Sequence, residues 1–339
     1  MEYPKFKVCV RCFTFNQAKY IEDTMNGFVM QQTDFPFVWC IVDDASTDGE
    51  QKVIKKYMDM HFDYSPTSVS FEKETDYAYI HYAQHKENKN CYFAVVFLKM
   101  NLYSKKEGLK KFEYISKWRD ICEYEAICEG DDYWLISDKL QKQADFLDKH
   151  NDYGMVYSKC YVLEDKANNF KQIIGGDKVL FDDLILKNCI PTLTSCIRLK
   201  IINKFYAEKS LWNTQGWKLG DYPIWLWTSL FTKIHFLDEI VGVYRVLPNS
   251  ASHSDNPYTL AKFQDSVLEI QIFFINKFRC GDIRLLKYVK QDLRFVKALL
   301  FIRNGFFKDA AKNIRGLSFY QFFRCLISCL KYFYRIVIV

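Results

Sequence analysis

Histidine is scarce in this chain, with 6 among 339 residues, and no cluster of them suggests a metal centre; a cation bound here would be held by oxygen. A second Cys-x-x-Cys pair is also missing. Cys9 and Cys12 have the spacing of a redox motif or a zinc half-site, but they lie in an apolar run with nothing to complete the set, so they read as structural. The opening Met1-Glu2-Tyr3-Pro4-Lys5-Phe6-Lys7 has no apolar leader stretch, and the 12 cysteines are expected as free thiols in a reducing cytoplasm. Neither an internal repeat nor a low-complexity linker breaks the pattern. What is plentiful is apolar: 49% of the residues are hydrophobic, enough for a sizeable core in one large domain with an appendage, or in two domains. Net charge is +6 but unevenly placed, since from Pro257 onward 15 Lys or Arg face 5 Asp or Glu, leaving the preceding residues at −4. A basic C-terminal part without any nucleic-acid motif suits an anionic membrane surface, and nucleic acid is not an expected partner.

Two apolar runs end in carboxylates. Phe37 to Val42 leads into Asp43-Asp44-Ala45-Ser46-Thr47-Asp48-Gly49, and Tyr124 to Cys128 leads into Glu129-Gly130-Asp131-Asp132-Tyr133-Trp134. Continuous apolar runs of this length read as strands of a largely parallel sheet. The segments after the strands Val8–Phe13 and Phe37–Val42 place Ile21, Met25, Phe28 and Val29, then Val53, Ile54, Tyr57 and Met58, at helical spacing. Further strands are expected at Tyr77–Tyr82, Met155–Val162 and Leu193–Ile197, and a helix at Tyr222–Phe231. Acids at the carboxyl ends of neighbouring strands point into the crevice where open α/β sheets bind ligands. Converging carboxylates repel one another, so a divalent cation carrying a phosphate-bearing substrate fits them. Alone, the first run also reads as turn and helix-capping chemistry.

Val8-Cys9-Val10-Arg11-Cys12-Phe13-Thr14-Phe15-Asn16, Tyr20-Ile21, the two acidic runs, Asp138-Lys139-Leu140, Gly220-Asp221-Tyr222-Pro223-Ile224-Trp225-Leu226 and Tyr244-Arg245 follow in an order and spacing that resembles glycosyltransferase family 2. The resemblance implies a GT-A fold: an α/β, Rossmann-like, mostly parallel sheet flanked by helices, here the catalytic domain 1–256, with a helical extension at 257–339. It implies an inverting, metal-dependent transfer from a nucleotide-sugar donor, UDP-linked, to a hydroxyl of a growing surface polysaccharide or lipid-linked acceptor. By the same resemblance Thr14, Asn16 and Asp44 approach the nucleotide, Asp44 accepting from a uracil N–H. Glu129, Asp131 and Asp132 serve the metal, diphosphate and ribose, with Mn²⁺ or Mg²⁺ on Asp131 and Asp132; which carboxylate touches the metal stays open. Arg245 and His253 fall in the segment that closes over the diphosphate. Asp221 is the base that takes the acceptor proton, with helix capping ahead of Pro223 as the competing role. Of the aromatics Tyr133, Trp134, Trp212, Trp217, Trp225 and Trp227, Trp134 is the first candidate to face a sugar ring, because it abuts the acids.

The chain also departs from the family. Phe13 stands where many members have proline, Gly220 replaces the first acid of a doublet, and Asn88-Lys89-Asn90 lacks the usual glycine and precedes a long insertion. Near the C-terminus, Arg324, Lys331 and Arg335 interrupt an apolar stretch, each charge costing roughly 3 kcal/mol at a bilayer centre. The expectation is a helix lying on the inner face of a membrane, not spanning it. A catalytically silent, membrane-bound scaffold of a polysaccharide assembly complex is the alternative.

Overall fold

Strand β1 (Val8–Thr14) directs Val8, Val10 and Cys12 into one core and Cys9 into another. That alternation decides the cysteine question, because residues three apart on a strand point to opposite faces; Cys9 and Cys12 cannot share a metal or a disulfide, and both are free thiols. β1 runs parallel to β2 (Phe37–Asp43), pairing Val8 with Phe37 through Thr14 with Asp43. On its other side it runs parallel to β6 (Tyr124–Ile127), pairing Val8 with Tyr124 through Arg11 with Ile127. Both acidic runs therefore leave strands adjacent to β1 at the same carboxyl edge.

The structure, a computed structural model, describes residues 3–164, 169–208, 216–247 and 253–338. The chain forms two compact units, one of Met1–Leu184, Asn188–Lys209 and Trp227–Arg245, the other of Ile185–Lys187, Ser210–Leu226 and Val246–Val339.

In the first unit the remaining strands are β3 (Phe71–Glu74), β4 (Ala78–Gln84), β5 (Cys91–Leu98), β7 (Tyr133–Trp134), β8 (Tyr153–Glu164), β9 (Asn169–Ile174), β10 (Cys196–Arg198) and β11 (Lys233–Val246). The sheet order is β3-β4-β5-β2-β1-β6-β10-β8-β11-β7, with β9 paired to β8. Strands β5, β2, β1 and β6 are parallel, while β10 is antiparallel to β6 and to β8. Helices cover both faces, as a parallel sheet requires. Ile21, Met25 and Phe28 of α1 (Ile21–Val29), Ile54, Tyr57 and Met58 of α2 (Glu50–His61), and Leu140, Ala144 and Leu147 of α4 (Lys139–Lys149) pack on one face. Ile115 and Trp118 of α3 (Lys111–Arg119) pack on the other, and the short α5 (Phe181–Leu184) and α6 (Leu199–Ala207) belong to the same unit. Each of the buried Ile, Leu, Met and Phe side chains contributes about 1.5–3 kcal/mol.

The insertion after α2 is an antiparallel hairpin, β3–β4, that extends the sheet edge beyond β5. The strand expected at Leu193–Ile197 is shorter. Thr192–Thr194 is a 3-10 turn, closed by Thr194 N–H and Oγ1–H donating to the Pro191 carbonyl at 3.1 and 2.8 Å, so only Cys196 and Ile197 of that run join β10. Threonine side chains that bond their own backbone compete with the ladder.

In the second unit, helix α8 (Pro257–Phe278) starts at Asn256, which accepts from the N–H groups of Tyr258 and Thr259, with Pro257 at its first position. It is followed by α9 (Ile283–Arg303), α10 (Phe307–Ile314) and α11 (Phe319–Ile338). These helices gather Ala261, Phe295, Ala298, Phe301, Ile302, Ala310 and Cys325 into a core. Phe319, Tyr320, Phe322, Phe323, Leu326 and Leu330 of α11 are left exposed. Among the described residues no helix is long and apolar enough to cross a membrane.

Candidate functional site

The loops that follow β1 and β2 are tied to each other. Asn16, in the left-handed region at φ 54°, donates its N–H to Ser46 Oγ at 2.8 Å and accepts from Thr47 N–H at 2.8 Å. Ala18 N–H donates to Asp48 Oδ2 at 2.9 Å, and Gln17 N–H to Glu50 Oε2 at 2.8 Å. Asparagine tolerates the left-handed conformation better than most residues. Its side chain here locks the loop.

The acidic loop is fastened from below. Thr24 of α1 donates to the carbonyls of Gly130 and Asp132 at 2.9 and 2.7 Å. Arg245 of β11 donates its backbone N–H to Asp132 Oδ1 at 2.9 Å and its Nη1 to the Asp131 carbonyl at 2.9 Å, pairs with Asp23 through Nη2, and lies 4.5 Å from the centre of the Tyr133 ring. Phe13 N–H donates to Glu129 Oε2 at 3.2 Å, and Arg11 Nη1 lies 3.8 Å from Glu129 Oε1. Arg11 is itself held by Glu125, whose other oxygen takes Arg119.

Electrostatics mark this loop. Desolvation, and then the neighbouring Asp131, push the Glu129 carboxyl up to about 7 despite Arg11. Desolvation also raises Asp131, and desolvation with the charge of Asp131 raises Asp132 well above the usual carboxylate range. Acids whose ionised forms are this disfavoured are stabilised by a cation placed among them. Among the described residues no group of three or more His, Cys, Asp or Glu side chains is gathered as a metal site.

No family model matches the chain. An uncharacterized protein of Mycobacterium tuberculosis is 29% identical over 187 residues, 53% of this chain and 43% of its own, so the chain spans less than half of that relative. TuaG of Bacillus subtilis, provisionally named a teichuronic acid biosynthesis glycosyltransferase, is 25% identical over 252 residues, 74% of this chain and 82% of its own. The crystal structure of S. aureus TarS 1-349 in complex with UDP matches with a TM-score of 0.50 at 16% identity, covering 91% of this chain and 90% of that one. The chain has the GT-A glycosyltransferase fold.

Set in the GT-A sheet, the residues expected from the sequence do not all lie where a ligand could reach them. Glu129 and Asp131 are half-buried at the carboxyl edge, whereas Asp132 is buried and turned toward Arg245. Thr14 is buried beneath the loop, and its Oγ1 donates to Gln17 Oε1 at 2.6 Å. Asp44 departs from expectation. It is fully buried, and its carboxylate accepts from Leu102 N–H at 2.7 Å, Tyr103 N–H at 3.1 Å and Lys111 Nζ at 2.7 Å, so it anchors the insertion and does not present a free acceptor to a base. Trp134 departs as well. Its indole is packed with Trp39 and Phe28 in the core and donates Nε1–H to the Leu193 carbonyl at 2.7 Å, leaving no face for a sugar. Arg245 is buried as a clamp on the acidic loop. Trp212 lies outside the described residues.

Asp221 belongs to the second unit, where it precedes helix α7 (Tyr222–Phe231). Its Oδ1 accepts from the adjacent Tyr222 N–H at 2.7 Å and its carbonyl from Ile224 and Trp225 N–H, so it stands at the start of that helix. Sequence reasoning missed Arg11, Gln17, Glu50 and Lys111. Lys111 and Glu50 act on segments distant in sequence, Asp44 and Gln17, and no local motif announces either.

Proposed function

We propose that the chain is an inverting, metal-dependent glycosyltransferase that moves a sugar from a UDP-linked donor to a hydroxyl of a surface polysaccharide or lipid-linked acceptor. The observation that carries this reading is the set of carboxyls at Glu129, Asp131 and Asp132, raised by burial and by one another at the edge where open α/β sheets take ligands. Oxygen ligands of this kind fit Mn²⁺ or Mg²⁺, which bind through one or two carboxylates and substrate phosphates. Asp131, the more open of the aspartates, would hold the ion, and Asp132 could reach it only through Oδ2, because its Oδ1 takes the Arg245 N–H. Such an ion neutralises charge developing on a departing diphosphate. Around it the chain's own residues have distinct duties: Thr24 and Arg245 fix the acidic loop, Arg11 and Phe13 N–H orient Glu129, and the tied loops after β1 and β2 form the wall against which a nucleotide would lie. UDP, the ligand in the TarS crystal structure, is the first nucleotide to test, and the name of TuaG points to a polymer of the teichuronic acid kind as acceptor. Incubation with a panel of nucleotide sugars and Mn²⁺ should release a nucleoside diphosphate from one of them; release of pyrophosphate would mark a nucleotidyltransferase, and no turnover of any donor would leave the scaffold reading.

Asp221 is proposed as the base. Asp221→Asn keeps the hydrogen bond to Tyr222 N–H but removes basicity, so turnover should fall by about 10² or more with donor affinity nearly unchanged. Near-parental turnover at saturating acceptor would assign the residue to capping alone.

The second unit is proposed to attach the enzyme to an anionic membrane face, with the exposed Phe319, Phe322, Phe323 and Leu330 entering the acyl boundary and the basic side chains meeting headgroups. The protein should sediment with phosphatidylglycerol-containing vesicles, less so at high salt, and Phe322→Ser with Phe323→Ser should release it without changing its thermal stability. Absence of sedimentation by the parent at low salt would end this reading.

A further inference from the structure

Glu50 is the first residue of α2, fully buried, and has no role in the chemistry above. Its Oε2 accepts from Gln17 N–H and from Ser46 Oγ, both at 2.8 Å, while its Oε1 is in hydrogen-bond contact with Thr14 Oγ1. Thr14 has a second partner, Gln17 Oε1, at 2.6 Å. The same Gln17 side chain also acts on the Asp131 carboxyl, whose ionised form it favours. A carboxylate only accepts, so the amide must turn its Nε2 toward Asp131 and its Oε1 toward Thr14. An amide oxygen also only accepts, so the proton between Thr14 and Gln17 is that of Thr14. The same hydroxyl would have to serve Glu50 Oε1 as well, whereas a protonated Glu50 supplies that contact with a proton of its own.

We propose that Glu50 is a positioning residue that works as a carboxylic acid, donating through Thr14 and Gln17 to set the amide that orients Asp131. In the ionised form Glu50 would take the Thr14 proton, Gln17 would rotate to offer Nε2 to Thr14, and its oxygen would face the oxygen of Asp131. The two protonation states thus select opposite amide orientations at the acidic loop. The loop lies directly on this relay: a Cβ at Gly130 would come within 2.3 Å of Thr14 Oγ1 and 2.5 Å of Gln17 Oε1.

The surroundings favour the acid. Cys12 faces Glu50 from β1, Asp43 from β2 and Asp48 from its own loop, none of them a cation. The amino end of α2 is the one feature that favours a negative charge. Desolvation dominates, lifting the carboxyl to about 7 against the hydrogen bonds of Thr14, Gln17 and Ser46. Because the folded value lies above the ordinary 4.5, the folded state keeps a proton that the unfolded chain has released, and stability is lost as pH rises from about 4.5 to 7.

This inference rests on the proposed role of Asp131, and the test separates the two. UDP binding with Mn²⁺ is measured calorimetrically from pH 6 to 8.5, and the Glu50 carboxyl is followed in the ligand-free protein by ¹³C NMR with labelled glutamate. Glu50→Leu, which cannot donate, should weaken binding at pH 6.5 by about 10–100-fold, the usual cost of losing a group that orients a metal ligand. Glu50→Gln, which can donate to Thr14 and still accept from Gln17 and Ser46, should restore most of it and remove the loss of affinity that the parent shows above neutral pH. A folded Glu50→Gln protein as weak as Glu50→Leu, or one that keeps the parent's pH profile, overturns the proposal. So does a Glu50 resonance already ionised at pH 6. If the parent binds no nucleotide at any pH while that resonance titrates near neutrality and vanishes in Glu50→Gln, the relay stands and the nucleotide-sugar reading fails.

Discussion

Asp131→Ala is expected to abolish transfer by removing Mn²⁺-dependent binding of UDP, with a loss of affinity of more than about 100-fold, above the range for groups that merely support a ligand. The variant should fold normally. Asp131 is half-buried, its ionised form is disfavoured by desolvation, and removing it relieves the repulsion that raises Asp132. Asp132→Ala is different in kind, because Asp132 Oδ1 receives the backbone N–H of Arg245; its loss should loosen the strand end as well as the loop. Calorimetric titration of UDP with and without Mn²⁺ checks both. A well-folded Asp131→Ala protein that binds UDP and Mn²⁺ like the parent would remove Asp131 from the proposed metal site.

The second large effect concerns stability. Glu125 is buried between two buried guanidiniums, accepting from Arg11 Nε at 2.9 Å on one oxygen and from Arg119 Nε on the other. Desolvation alone would raise its carboxyl, but Arg119 and Arg11 outweigh that and hold it below the ordinary range. Glu125→Ala leaves two positive charges facing each other away from water, at a cost of about 3–5 kcal/mol, a large share of the 5–15 kcal/mol typical of a folded domain. Replacing the three together by Met, Leu and Met should cost far less, since the desolvation of the charges disappears with them. That triple variant would also take Arg11 away from Glu129, 3.8 Å distant. Urea denaturation should find it close to parental stability while UDP binding weakens. Equal instability in Glu125→Ala and the triple variant would mean that packing, not charge, governs this cluster.

The parallel core was legible because its strands are uninterrupted apolar runs and its helices repeat at a helical period, both local properties. The acidic loop was legible for the same reason: Glu129, Asp131 and Asp132 sit within five residues of the end of β6. Residues whose role depends on burial by distant segments were not. Asp44 looked free until the insertion brought Leu102, Tyr103 and Lys111 to it. Trp134 looked like a sugar platform because it follows the acids, but a two-residue strand paired with Gly242 and Val243 turns its side chain inward. Gly27 of α1 lies so close to Trp134 that a Cβ there would meet its backbone nitrogen at 2.8 Å, a constraint that no local pattern announces. Gln17 and Glu50 are joined across 33 positions of sequence by a bond that neither residue type predicts.

The bonds that tie the loop after β1 to the loop after β2 have a thermodynamic consequence. Ordering a backbone residue costs about 1–2 kcal/mol, and a loop that becomes fixed only on meeting its ligand takes that cost out of affinity. Asn16, Gln17 and Ala18 are fixed to Ser46, Thr47, Asp48 and Glu50 by bonds within the chain itself. For this wall of the crevice the entropy is lost when the protein folds, so a nucleotide bound there as proposed would not have to organise the wall itself.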